Sequence, residues 1–148
     1  MIETESILVK ALSEALEKMA FLAVLPMDEE VVVPVETVLT EISFTGPKNG
    51  TLQILTGENF GKILAENIGA VCDADDECCY DALKEIVNVA CGLLLPLLDC
   101  SSQDVFDVTV PKTFKGQDSP MWREFTVDEK SRTLNVEGYL IAARLTFE

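Results

Sequence analysis

The 148-residue chain contains no histidine. That absence removes the usual neutral-pH general base, the Ser-His-Asp triad and the commonest metal ligand together. Basic residues are scarce: 11 Lys and Arg stand against 26 Asp and Glu, a net charge of −15 with a pI near 4.2. A phosphate backbone would be repelled by such a surface, so nucleic-acid binding is not expected. The five cysteines (Cys72, Cys78, Cys79, Cys91, Cys100) are odd in number and have no CxxC spacing. No zinc pattern is present, and in a reducing cytosol thiols are expected. Cys72, Cys78 and Cys79 accompany the acidic run 73–77. A metal site there is the sharper reading, a solvated acidic loop beside small buried thiols the plainer one. The N-terminus lacks the positive region of a signal peptide. The longest nearly apolar run, 86–98, is too short to span a bilayer and carries Asn88 and Pro96. A cytoplasmic protein without membrane insertion is expected.

What is present is a core. Hydrophobic residues make up 48% and charged residues 25%, enough apolar surface to offset the entropy of ordering. The length suits one domain over 1–148. Apolar residues recur at helical spacing over 6–25, where Pro26 is the expected stop. The β-branched stretches 31–35 and 38–44 read as one interrupted strand, 45–50 as a turn and 51–55 as the returning strand. Helices are expected over 58–68 and 77–95. The remainder reads as β, at 105–110, 122–127 and 134–147, with 116–120 a flexible loop. Trp122 reads as a residue that starts a strand and packs on the sheet, rather than as a partner anchor. A weak echo links Ser13-x3-Glu17 to Asp81-x3-Glu85, each followed later by Gly-x-Leu at Gly50 and Gly138. A duplicated helix-plus-strands unit would pack its helices on one face of a shared antiparallel sheet, an α+β arrangement.

The helix over 77–95 carries the chemistry. At about 100° per residue, Asp81, Glu85, Asn88 and Gly92 fall on one stripe about 60° wide. Leu83, Ile86, Val87, Ala90, Leu93 and Leu94 take the opposite arc and must face the core. Asn is a mediocre helix former, and Gly costs about 1 kcal/mol relative to Ala in a helix interior. In one reading the stripe is simply the solvated face and Gly92 a helix-packing contact. In the other, a carboxylate and a carboxamide one turn apart are presented to a partner. The amide can donate and accept, so it can hold a water without taking its proton. The carboxylate can pair with a lysine and set the register.

The string Asp81-x3-Glu85-x2-Asn88-x22-Pro111 matches the signature [D/S]-x3-E-x2-N-x22-P of the CheC/CheX/FliY family of chemotaxis phosphatases. Chance would supply such a match on the order of once in several hundred chains of this size. Residues 14–23 resemble the family's first helix, 42–52 its strand-turn-strand, and Asn88-Val-Ala-Cys-Gly92 its Asn-x3-Gly. The resemblance covers most of the chain from about residue 6. It implies the fold just described and removal of phosphate from the phospho-aspartate of a CheY-like receiver domain. By the same resemblance Glu85 pairs with the receiver's invariant lysine and Asn88 orients the attacking water. Asp81, Gly92 and Pro111 belong to the partner-binding face. Mg²⁺ is the receiver's, so the chain needs no cofactor of its own. The first-helix echo, Ser13-x3-Glu17-x2-Ala20, has alanine where the amide should be. One site per chain is closer to CheX than to CheC and implies a homodimer paired through its sheets, with 134–147 the candidate exposed edge. The alternative function is a non-catalytic adaptor or dimerisation module on a receiver. A cysteine-based metal or redox protein is a third class.

Overall fold

The computed structural model describes residues 4–27, 31, 33–34, 36–69, 76–98, 105–115 and 120–148. Helix α1 (Thr4–Ala20) leads to a two-residue strand, β1 (Val24–Leu25). The hairpin β2 (Thr37–Thr45) and β3 (Gly50–Gly57) follows, then α2 (Glu58–Gly69) and α3 (Asp76–Leu94). Pro96 cannot continue the α-helical ladder, and α3 closes in a 3-10 turn, Leu95–Leu97. The last third holds β4 (Asp107–Val108), β5 (Lys112–Lys115), α4 (Pro120–Thr126) and the hairpin β6 (Ser131–Val136) and β7 (Tyr139–Phe147).

All described strands join one antiparallel sheet in the order β1-β6-β7-β3-β2-β4, with β5 also on the outer side of β2. The duplication is visible in this order. The two hairpins meet at β3 and β7, where Gly50 pairs with Phe147. Each unit lends its leading strand to the other's hairpin: β1 pairs with β6, and β4 and β5 pair with β2. Gly50 is needed at that seam. A Cβ there would lie 2.7 Å from the Phe44 ring and from the Thr146 carbonyl.

Three expectations are corrected. Residues 134–147 form two strands, because Glu137 (φ 50°) and Gly138 (φ 99°) make a two-residue turn. The resulting β7 is central, between β6 and β3, so it is not an edge. The stretch 122–127, read as a strand from its aromatics, lies in α4 and the turn after it. Pro120 opens that helix, and Met121, Trp122 and Phe125 pack on Leu39, Leu55 and Ala142. Trp122 therefore packs on the sheet as expected, but from a helix. Residues 31, 33 and 34 are not strand. Of the loop expected over 116–120, Pro120 belongs to α4 instead; residues 116–119, with Val32, Val35, residues 73–75 of the acidic run, Cys72 and Cys100, lie outside the described residues.

Helices α1, α2 and α3 cover one face of the sheet, and the main core sits beneath them. Helix α1 stops at Ala20, five residues short of the end expected at 25 before Pro26. Phe21 turns left-handed (φ 56°), Leu22 N–H donates to the Leu16 carbonyl at 3.2 Å, and Asn67 Nδ2 donates to the Ala20 carbonyl at 2.7 Å. A left-handed residue with a Cβ costs about 1–2 kcal/mol. No glycine marks the stop, so the periodic pattern ran past it.

Candidate functional site

Helix α3 is held over most of its girth. Leu83, Ile86, Val87, Ala90 and Leu94 are fully buried, and Ala82 and Cys91 nearly so. Burying each large aliphatic side chain contributes about 1.5–3 kcal/mol, so the helix cannot rotate about its axis. Its packing against α1, α2 and β2 therefore sets which residues face outward. Asp81, Glu85, Asn88 and Gly92 are all exposed, on one strip. No side-chain hydrogen bond or ion pair engages Asp81, Glu85 or Asn88 among the described residues. Gly92 meets nothing within 4 Å of where a Cβ would stand. It is not a helix-packing contact; it opens the surface one turn beyond Asn88.

Val89 is half-buried against the core and Cys91 is 1% exposed, so the neighbours of Asn88 face inward. Burial pushes the Cys91 thiol up to about 11. A thiol so raised is a poor nucleophile at neutral pH. The shift also makes a stability statement. The unfolded chain loses this proton near pH 9, before the folded one, so the contribution is complete below about pH 9 and is lost as pH rises toward 11. Denaturation by urea at about pH 8 and about pH 10.5 is expected to show that loss, on the order of 2 kcal/mol. In Cys91→Ala this part of the alkaline loss should be missing.

Pro111 does not sit on the strip. It lies in the sheet layer between β4 and β5, where its missing N–H interrupts pairing along β2. Thr109, two residues before it, is tied to Ser43 in both directions, N–H to carbonyl at 2.9 Å and Oγ1 from the Ser43 N–H at 3.0 Å. Helix α3 packs on β2 and β5, so this edge segment flanks the helix.

The duplicated position on α1 is incomplete. Glu17 is exposed, but Ala20 is fully buried at the helix end. Even an asparagine there would point inward.

A second polar cluster, with no signature in the order of residues, lies on the opposite face of the sheet. Gln53 Nε2 donates to Glu41 at 3.0 Å, and Arg144 donates to Gln53 Oε1 at 2.7 and 3.1 Å and to Asp128 at 3.0 Å. The Arg144 guanidinium also stacks 4.3 Å over the Phe125 ring. The N–H of Lys130 beside Asp128, followed by Arg144, holds that carboxyl below its ordinary value. These groups satisfy one another, so they lock α4 to the sheet and leave little free capacity for a ligand. A depression of about 480 Å³ beside the strip was equally invisible in sequence, since α1, α2 and α3 all line it. Among the described residues no group of three or more Cys, Asp and Glu could hold a metal ion.

The family model described as chemotaxis phosphatase CheX matches residues 38–131, which include the α3 strip and Pro111. No curated protein matches the chain. Among solved structures, a chemotaxis protein CheX from Desulfovibrio desulfuricans is 17% identical with a TM-score of 0.71, over 99% of this chain and 100% of that one. A CheX from Vibrio vulnificus is 20% identical with a TM-score of 0.69, over 99% and 97%. A complex of CheX and CheY with BeF3 and Mg²⁺ from Borrelia burgdorferi is 19% identical with a TM-score of 0.63, over 100% and 99%. At these identities the likeness is one of fold, with helices on one face of an antiparallel sheet.

Proposed function

The chain belongs to the chemotaxis phosphatase CheX family, and on that premise we propose that it removes phosphate from the phospho-aspartate of a CheY-like receiver domain. The observation that carries the reading is the exposed carboxylate and carboxamide of Glu85 and Asn88, one turn apart on a well-packed helix and engaged by no side-chain hydrogen bond or ion pair among the described residues. A site that must grip a partner keeps its hydrogen-bonding capacity unspent until the partner arrives.

In this mechanism Glu85 pairs with the receiver's lysine and fixes the register of the two surfaces. Asn88 then reaches the acyl phosphate and holds a water in line with the bond that breaks. The water oxygen bonds to phosphorus, the phosphorus–oxygen bond to the aspartate breaks, and inorganic phosphate and a free carboxylate result. No proton needs to pass to this chain, which is consistent with a site that has no histidine. Asp81 frames the strip on one side, the open surface at Gly92 admits the receiver on the other, and Pro111 borders the helix from the sheet edge. Mg²⁺ belongs to the receiver in this scheme, as part of the phosphorylated partner. Phosphate release from a Mg²⁺-loaded phosphorylated receiver, with and without the chain, tests the proposal directly.

A homodimer is part of the same reading, but its sheet edge is not β7. The outer strand segment at 105–115 carries exposed Val105, Val108, Val110 and Phe114. Apolar side chains on an open edge favour pairing with a second sheet. Sedimentation equilibrium at micromolar concentration is expected to give twice the 16.2 kDa chain mass, and Val110→Lys to return it to the monomer value.

A further inference from the structure

Two features of the helical face are left over by the polar strip. One is the depression between α1, α2 and α3. Met19, Ala65, Ile68 and Ala82 make its apolar lining, and the only charged side chains that line it among the described residues are Asp81 and Glu85. One rim of the groove is therefore the strip itself. The other feature is Phe21, 79% exposed and held left-handed at φ 56°. In the chain it follows the groove-lining Met19 by two residues and adjoins Ala20, whose carbonyl is held by Asn67 beside the groove-lining Ile68. The turn itself caps α1 through Leu22 N–H and the Leu16 carbonyl, but that cap does not call for a phenyl ring. Glycine would make the same turn without strain, and a phenyl ring in water contributes no burial. Strain that persists at an exposed aromatic points to presentation of that side chain, and aromatic residues are the usual anchors of interfaces.

We infer that the groove and Phe21 select which receiver is bound, by taking an apolar side chain that the receiver carries beside a lysine or arginine. This rests on the phosphatase reading above, because Glu85 and Asp81 serve both surfaces. Charge decides the flanking residue: an acidic rim on an apolar floor repels an acidic neighbour and favours a basic one. Glu85 thus sets the register while the groove discriminates among receivers that all share the same lysine.

The test is steady-state phosphate release from the host's phosphorylated, Mg²⁺-loaded receivers, using wild type, Cys78→Trp and Phe21→Gly. Cys78 lines the groove and is exposed, so an indole there fills the groove without entering the core. Cys78→Trp is expected to raise KM about tenfold with kcat within about twofold of wild type. Phe21→Gly is expected to raise KM about fivefold while its melting temperature is no lower than wild type. That combination separates presentation from a structural role, and it decides the matter alone should the tryptophan variant not fold. Unchanged KM in the folded variants, or a loss confined to kcat, overturns the selective groove. A wild type that neither binds beryllofluoride-loaded receivers nor accelerates phosphate loss overturns the phosphatase reading beneath it.

Discussion

Asn88→Ala is expected to slow receiver dephosphorylation about 10²–10³-fold, the usual scale for one well-placed hydrogen-bonding group at a reacting centre. The side chain is exposed and makes no hydrogen bond among the described residues. Its removal should therefore leave the fold intact, and alanine is the better helix former. Binding to the receiver should survive largely unchanged, because Glu85 and the rest of the face remain. The loss is then expected in kcat, as the proposed role on the attacking water requires. Phosphate release and a binding titration, run side by side on wild type and variant, read both quantities. A variant as active as wild type would remove Asn88 from the chemistry. Measurable binding with no acceleration by wild type would leave the CheX-family fold and favour the adaptor function.

Glu85→Lys should act differently, raising KM about 30–100-fold and weakening binding by the same factor. Opposing a lysine with a lysine converts an attraction into a repulsion worth several kcal/mol when desolvated. Solvent at this exposed position screens part of that cost, hence the lower range. Glu17→Lys is the matched control. It makes the same charge change at the duplicated position, where Ala20 is buried and no amide is presented, and should leave KM nearly unchanged. Equal effects at both positions would mean that net charge, not register, governs binding. Raising ionic strength separates the two further, because screening weakens a long-range effect of the −15 charge more than a close pair.

Much of the candidate site was legible in sequence because its residues lie on one helix. The spacing of Asp81, Glu85, Asn88 and Gly92 determines a shared face at any helical pitch near 3.6, and the apolar residues between them determine that the other faces are buried. The hairpin at 45–50 and helix α2 were readable for the same reason: their signals are local. Where the pattern misled, a local propensity was overruled. The aromatics at 122 and 125 suggested a strand, but the proline before them opens a helix, whose Met121, Trp122 and Phe125 pack on Leu39, Leu55 and Ala142 from far along the chain. Helix α1 ended early on a phenylalanine in a conformation usually left to glycine.

By itself, then, the sequence determined the α+β class, the echo of two units, the polar strip and the family signature, all of which follow from the order of residues along single elements. Tertiary structure alone decided which strands are edges, since that depends on β1 and β5 crossing to the other unit's hairpin. It also decided that Cys91 faces the core, that Ala20 closes the duplicated site, and that three helices enclose a groove beside Glu85. The physical reason is common to all four. Burial and adjacency are properties of side chains distant in sequence, and only the packed sheet and its helices bring them together.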